Sequence, residues 1–533
     1  MDFICFDTED DSKELMEAGL SGFDKKVTQI AAIAGNGDDF YSAGDVNKFL
    51  TWLRKRPETR IYALNTQYDL GNLFGDTPDC LDVTMVGGRL IKAMWGQKAF
   101  VDVFNLYQMS VKKLGEKFGL AKKDFDSKGR EYVFRDVEII HRAVSFAWEF
   151  CERVGIGACP STIAGAAIRL WKFWGGVNIH DSGELSRCAL YGGRVELFKP
   201  RNESRNVCYT DVNSLYPHVM RNEFPVIMEA CSDIPAFGVA EVTVKQKETD
   251  LTVLPFRTPE GEIVYPWGMM KGAWTAAELR KACELGCKIE KFHSASGSSE
   301  GHKPYEEFVT RIYRLRKESS VEAEKVFYKL LMNNLYGRLG IQGVVSRSVC
   351  RNPETEKQGV AYGEKVLVDY QMPLPDETNW SHAAHVTSYG RLALLSYIEK
   401  IGASNMIYCD TDSSIFDCSV KQIPFSVGPE LGQMKLEAWE TLCEAHAPKT
   451  YQFGDQYKAK GVPRRLAKDF IQQGRVEFAL PFKLRESIRF FDEGNTKKLS
   501  VWRKIEKIWQ TRYKKKKLQN GRFFPSHVSK FMQ

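Results

Sequence analysis

Residues 405–416 read NMIYCDTDSSIF, and this stretch decides how the rest of the chain is read. Apolar and aromatic residues flank a polar turn of Asp410, Thr411, Asp412 and Ser413, so the pattern predicts a β-hairpin. In a strand-like register Asp410 and Asp412 point to the same face. Two carboxylates held together among apolar neighbours repel each other and lose hydration, a cost that a divalent cation removes. Oxygen donors suit Mg²⁺ or Mn²⁺. A solvated acidic turn is the ordinary meaning of a single Asp-x-Asp, but the full string Tyr408 to Ser413 is far rarer by chance.

Outward from the hairpin, residues 207–217, VCYTDVNSLYP, read as a strand running into a turn, with Asp211 at its end. Residues 304–340 carry two helical runs interrupted near Glu318–Ser320. In the second run Lys325, Lys329, Asn333 and Tyr336 are spaced by 4, 4 and 3 residues and form one stripe. A basic stripe is usually a solvated face. This one ends in an amide, a ring and Gly337, a set suited to a triphosphate and a stacked base. Residues 342–382 are turn-rich, with Pro353, Pro373 and Pro375, and read as an insertion. Residues 1–155 alternate strand-like runs (Phe3–Phe6, Val27–Ala34, Ile61–Asn65, Ala99–Phe104) with helical ones (Val46–Leu53, Val111–Phe118, Val137–Val154), an α/β pattern.

Composition sets the class. The chain has 533 residues, 43% hydrophobic and 27% charged, enough for several globular domains. It has no uninterrupted apolar run of about 18 residues, so no membrane span is expected. The beginning, MDFICFDTEDD, is acidic where a secretory signal is basic. Thirteen scattered cysteines without CxxC spacing favour reduced thiols over a disulfide framework or zinc ribbon. A net charge of +7 is weak support for nucleic-acid binding. The end is basic, with Arg512, Lys514, Lys515, Lys516, Lys517, Arg522 and Lys530, and reads as either a solvated tail or a phosphate contact.

The string Tyr408-Cys409-Asp410-Thr411-Asp412-Ser413 resembles the third polymerase motif of family B DNA polymerases, and DVNSLYP resembles the first. The helix of Lys329 and Tyr336 resembles the second, and Lys449-Thr450-Tyr451 the KxY motif that holds a primer terminus. The resemblance implies Asp211 and Asp412 as metal ligands, with Asp410 supporting the site. It implies Tyr216 as the ring that selects deoxynucleotides, and Lys317, Lys325, Lys329, Asn333 and Tyr336 as the nucleotide side. Near the start, Asp7-Thr8-Glu9, Asn65 to Asp69, and Tyr132 to Asp136 resemble three 3′–5′ exonuclease motifs in order. By that resemblance Asp7, Glu9, Asp69 and Asp136 bind two metals, Tyr132 positions the attacking water, and Asn65, Tyr68, Asn105 and Leu106 hold the frayed strand.

Two spacers, and Asp7 close to the start, resemble the protein-primed subgroup of phages, adenoviruses and linear plasmids. The expected architecture is α/β and α+β: a ribonuclease-H-like exonuclease (1–155) followed by a right-hand polymerase. Its parts are palm (156–228 and 383–475), fingers (301–341) and thumb (476–533), with insertions at 229–300 for a terminal protein and 342–382 for strand displacement and processivity. Expected cofactors are two Mg²⁺ per active site, replaceable by Mn²⁺. Expected partners are a DNA primer-template, dNTPs and a terminal protein, for a monomer or heterodimer in a host cytoplasm. Three departures stand out. Leu190 takes the place of a tyrosine before Tyr191, Gly192 and Gly193, which would approach the template. Asn334 replaces the usual serine, and Asp10 follows the exonuclease triplet. The rivals are a relative primed by nucleic acid alone or by nothing, and a nuclease or binding module with a degenerate palm, against which the intact Asp211, Asp410, Asp412, Lys329 and Tyr336 speak. A third is an RNA-templated enzyme, which usually has adjacent aspartates where Thr411 intervenes here.

Overall fold

The structure is a computed structural model that describes residues 2–11, 14, 26–75, 77–122, 129–177, 179–204, 206–341, 343–481, 502–509, 513 and 515–532. Its N-terminal part is built on a mixed sheet. Phe3–Asp10, Arg60–Ala63 and Lys98–Asp102 lie parallel and side by side, and Val27–Ala34 runs antiparallel to the first with Ala31 opposite Asp7. The long helix Arg130–Arg153 covers one face, its Trp148 ring 5.7 Å from Phe3. Parallel strands buried on both faces explain why FICF is uniformly apolar.

The hairpin Asp82–Val86 and Arg89–Trp95 turns at Gly87-Gly88, both with positive φ, and extends this sheet. The extension continues into residues 342–382. That segment is a three-stranded meander, not a string of turns: Val344–Cys350 pairs with Asp82–Val86, and Lys365–Gln371 and Gly359–Tyr362 follow. Ten strands result. The prolines that suggested turns fall outside the three strands, and residues 380–382 open the next helix, Trp380–Ile401.

The palm is a five-stranded sheet with Val207–Val212 between Met434–Glu440 and Ser413–Asp417, then Met406–Asp410 and the short edge strand Val195–Leu197. Helices Glu306–Glu318 and Glu322–Leu339 are the two runs read from sequence. Phe327 of the second packs against Tyr107, Phe146 and Phe150 of the N-terminal part, so one apolar core runs through both regions. Residues 229–300 fold as a four-stranded sheet ordered Glu229–Cys231, Lys288–Ser298, Phe237–Gln246, Gly268–Thr275, with helix Ala276–Glu284.

The C-terminal region departs from a single thumb at 476–533. Arg475–Pro481 pairs with Trp502–Ile508 beside helix Ala467–Gln473. Residues 515–532 instead return to the palm and the first insertion. Phe523 N–H donates to Phe198 O at 2.7 Å, Arg522 pairs with Asp250 at 3.0 Å and Lys515 with Glu262 at 3.7 Å. Part of the basic tail is thus held in ion pairs; Arg512 and Lys514 lie outside the described residues. Among the described residues no helix is long and apolar enough to cross a membrane.

Candidate active sites

The hairpin forms as read, with one correction. Thr411 adopts a left-handed backbone (φ 61°), so Asp410 ends one strand and Asp412 lies in the turn; the two do not share a strand register. Asp410 accepts from Tyr408 Oη at 3.1 Å and Thr411 Oγ1 at 3.2 Å, and Lys449 Nζ lies 3.6 Å away. Asp412 is left to face Asp211 on the neighbouring strand, where Asp211 pairs with Ser413 and Val212 N–H donates to Asp412 O at 2.7 Å. Burial, Asp412 and Glu437 push Asp211 up to about 7 against the pull of Lys329 and Lys435. Burial also raises Asp412, and Lys329 again opposes it. A half-buried carboxylate pair with raised proton affinity suits a divalent cation. Glu437 escaped the sequence reading because it is the extra residue where Met434–Glu440 shifts register against Val207–Val212, and alternation does not foresee such a shift.

Lys329 is the lysine of the stripe that meets the carboxylates. Lys325 pairs with Glu322 at 2.7 Å and Lys317 with Glu430 at 2.6 Å, so neither is directed at the centre in this structure. Asn333 is half-buried. Tyr336 and Tyr216 meet ring to ring at 4.6 Å. Gly390 of helix Trp380–Ile401 backs the second ring: a Cβ there would lie 3.0 Å from Tyr216 Cε1. Arg316, unnoticed in the sequence, approaches Ser214 Oγ at 3.5 Å. Asn334 donates to Leu330 O at 2.8 Å and accepts from Gln108 Nε2 at 3.3 Å, which ties the fingers helix to the N-terminal part.

Of the expected DNA contacts, Tyr191 and Tyr451 are internal here, Gly193 is half-buried and Gly192 is exposed. Tyr191 is 4% exposed, with Arg257 and Arg391 5.4 and 5.7 Å from its ring. Gly193 abuts the catalytic turn, since a Cβ would come within 2.5 Å of Thr411 Oγ1, and Gly192 O accepts from Arg391 Nη1 at 2.6 Å. This loop seats the turn: the approach at Gly193 leaves no room for a side chain, while Gly192 has open space beside it. Tyr451 packs 5.7 Å from Tyr408 in the core beneath the hairpin. Lys449 is the exposed member of that motif, and its N–H donates to Tyr408 Oη at 2.9 Å.

In the N-terminal part Asp7, Glu9 and Asp136 bring one oxygen each within 4.8 Å of one another. Asp69 is buried beside them and raises Asp7, second only to burial. Burial lifts Glu9 to about 7 and Asp69 to about 8. Asp69 Oδ2 and Asp136 Oδ1 are buried without a hydrogen-bond partner. Orphaned carboxylate oxygens in so acidic a cluster fit divalent cations. Three partners were not read from sequence. Thr8 donates to Asp69 Oδ1 through Oγ1 at 2.7 Å and through its amide at 3.1 Å, and Asn72 Nδ2 donates to Thr8 Oγ1 at 2.9 Å. Lys122 forms an ion pair with Asp136 and lies 5.0 Å from the Tyr132 ring centre. It belongs to no motif, so only the fold could find it.

Of the expected strand-holding residues, Asn65 is exposed on a left-handed backbone (φ 71°), and Tyr68 is engaged with Asp10, the departure after the triplet. Asn105 and Leu106 are internal instead: Asn105 Nδ2 donates to Leu90 O at 2.8 Å, and Leu106 is fully buried in the core. A helical turn at Phe104–Tyr107, packed under the fingers helix, turns both inward.

The family of type B DNA polymerases, organellar and viral, matches residues 104–371, 268 of 533 and so just over half of the chain. A probable DNA polymerase of Ascobolus immersus is 27% identical over 300 residues, 51% of this chain and 24% of that protein. One of Neurospora intermedia is 26% identical over 319 residues, 53% of this chain and 32% of that protein. The chain therefore spans a third or less of the length of these fungal relatives. The DNA-directed DNA polymerase of Enterobacteria phage PRD1 is 24% identical over 439 residues, 75% of this chain and 74% of that protein. Phi29 DNA polymerase in an orthorhombic crystal form superposes with a TM-score of 0.73 at 14% identity, covering 95% of this chain and 100% of that one. Its post-translocation binary complex with primer-template DNA gives 0.70 at 15%, over 95% and 99%. The architecture is thus that of a mixed α/β, multidomain viral polymerase, and the chain belongs to the organellar and viral type B DNA polymerases.

Proposed function

We propose that this protein is a DNA-directed DNA polymerase with a 3′–5′ proofreading exonuclease. It would replicate a linear genome by protein-primed initiation and strand displacement. The observation that carries the reading is the pair of acidic centres on one chain: Asp211 and Asp412 in the palm, and Asp7, Glu9, Asp69 and Asp136 in the N-terminal sheet. In each, two divalent cations, Mg²⁺ or in its place Mn²⁺, would supply charge neutralisation and activation of the attacking oxygen.

The protein's own groups do the rest. Asp211 and Asp412 would hold the cations of the palm, while Asp410 stays bound to Tyr408 and fixes the turn. Tyr216 and Tyr336 wall the sugar and base of a dNTP, and the backing at Gly390 keeps the Tyr216 ring from yielding to a 2′-hydroxyl. Lys329 offers a positive charge to the triphosphate from the fingers side. Lys449 is exposed toward a primer terminus. In the editing centre Tyr132 orients the attacking water, Lys122 offsets negative charge, and Thr8 holds Asp69 in place. Asn65 is open to a frayed strand.

Protein priming is supported by two insertions that flank the fingers, a separate sheet with one helix at 229–300 and the meander at 344–371 that extends the N-terminal sheet. The first would meet a terminal protein and the second the DNA. The test is extension of a primer on a circular single-stranded template with Mg²⁺ and dNTPs, comparing wild type with Asp412→Ala. Products longer than one circle from wild type alone are expected. No extension by wild type, with or without a terminal protein, would refute the reading.

A further inference from the structure

One buried charge cluster beside the palm carboxylates has no part in the chemistry above. Arg194, Glu196 and Lys516 have side chains only 2–3% exposed. Arg194 takes Glu196 Oε2 at 2.5 Å, and Lys516 takes Oε1 at 3.0 Å. The Arg194 guanidinium also donates to Thr252 O at 2.9 Å and lies 4.1 Å from the Tyr265 ring centre. Lys516 Nζ lies 3.9 Å from the ring centre of Phe198. Two cations thus share one carboxylate, with aromatic faces on their far sides.

The location gives the cluster its meaning. Arg194 O accepts the amide of Thr411 at 2.7 Å, and Val195 and Glu196 pair with Asp410 and Cys409. Thr411 holds a left-handed backbone that a β-branched residue adopts at a cost, so the turn needs external support. That support is a three-residue edge strand, too short to be rigid alone. Lys516 reaches it from the C-terminal segment, which is itself fastened beside it by Phe523 N–H to Phe198 O.

We propose that Lys516 is a positioning residue of the polymerase centre: through Glu196 and Arg194 it fixes the strand and the carbonyl that hold the Asp410–Asp412 turn. The inference rests on the polymerase reading. It makes residues 515–532 a support of the palm and not a solvated tail.

The test is full-length Lys516→Met against Lys516→Arg and wild type. In Lys516→Met, kcat for single-nucleotide addition should fall by about tenfold or more, since small misplacements of reacting groups cost that much. The KM for dNTP should stay within about threefold, because Lys329, Tyr216 and Tyr336 meet the nucleotide from outside the turn, and single-strand degradation by the same protein within about twofold, because the N-terminal cluster does not touch it. Lys516→Arg, whose guanidinium can still pair with Glu196 and stack on Phe198, should recover extension. Amide exchange should quicken in residues 405–416 and not in Phe3–Asp10. If Lys516→Met does not fold, Glu196→Gln carries the same readouts. Equal extension by wild type and Lys516→Met overturns the inference alone. So does a joint loss of extension and degradation with both peptides exchanging faster. A wild type that extends no primer removes the polymerase reading and this inference with it.

Discussion

Thr8 offers the sharpest test of the proposed editing centre, because it lies between Asp7 and Glu9, two of the proposed ligands, and is not one itself. Its hydroxyl donates to Asp69 Oδ1 at 2.7 Å and accepts from Asn72 Nδ2 at 2.9 Å, and the residue is 1% exposed. Thr8→Val keeps the shape and removes both bonds. A hydrogen bond to a carboxylate contributes about 1.5–3 kcal/mol, and one between neutral groups about 0.5–1.5 kcal/mol. The retained Thr8 amide bond to Asp69 softens the loss, so about 2–4 kcal/mol is expected locally. Groups that hold a metal ligand typically change activity by about 10–100-fold when removed. Degradation of a 5′-labelled single strand under single-turnover conditions should slow by that factor. Primer extension should stay within about twofold, because the palm is unaffected. Thr8→Ser, which keeps the hydroxyl, should retain degradation. Degradation at the wild-type rate in folded Thr8→Val would refute the claim that this hydroxyl holds Asp69.

Three other outcomes are expected. Asp7→Ala combined with Asp69→Ala should abolish degradation and spare extension; persistent degradation would show that the cluster is not the editing centre. Tyr216→Val should raise incorporation of ribonucleotides relative to deoxynucleotides, and an unchanged ratio would remove the steric role given to that ring. Stability should fall in mild acid through His382 and His385, which burial lowers to about 3 and about 4. His382 faces His302 and His385, while His385 faces Glu278, Arg280 and Asp181. Folded-state values below the unfolded 6.5 mean that the stability is present above pH 6.5 and is lost as pH falls toward 4. The slope is about 1.4 kcal/mol per pH unit for each histidine. Denaturation midpoints of His382→Gln and His385→Gln with wild type at pH 7 and pH 5 would measure it, and equal pH dependence in all three would exclude these groups.

Much of the machinery was legible because its chemistry is written in short strings. DxE ends one strand of the N-terminal sheet, DVNSLYP and YCDTDS bring carboxylates to adjoining strands and the turn between them, and period-2 and period-3.6 patterns carry those strands and the fingers helix. What stayed hidden depends on contacts between distant segments. Nothing in residues 342–382 says that the edge of the N-terminal sheet is their partner, so prolines and turns dominated the reading. Tyr191, Tyr451 and Leu106 were placed at DNA by analogy, whereas packing against Arg391, Tyr408 and the fingers helix turns them inward. Thr8 and Lys516 were passed over for opposite reasons: one was the unspecified residue of a motif, the other one lysine in a charge run.

The helix Glu322–Leu339 links the two centres. Lys329 lies two residues beyond Phe327, about 200° around the helix, and so on the opposite face. Its charge draws on both Asp211 and Asp412. Phe327 meets Phe146 and Phe150 at 5.4 Å, on the helix that also carries Tyr132 and Asp136. Withdrawing Lys329 from the palm would therefore mean pulling Phe327 out of a packed aromatic cluster or moving helix Arg130–Arg153 with it. Cores of this density resist such changes. Lys325, one turn earlier on the same helix, shares that tether, and its ammonium pairs with Glu322 at 2.7 Å.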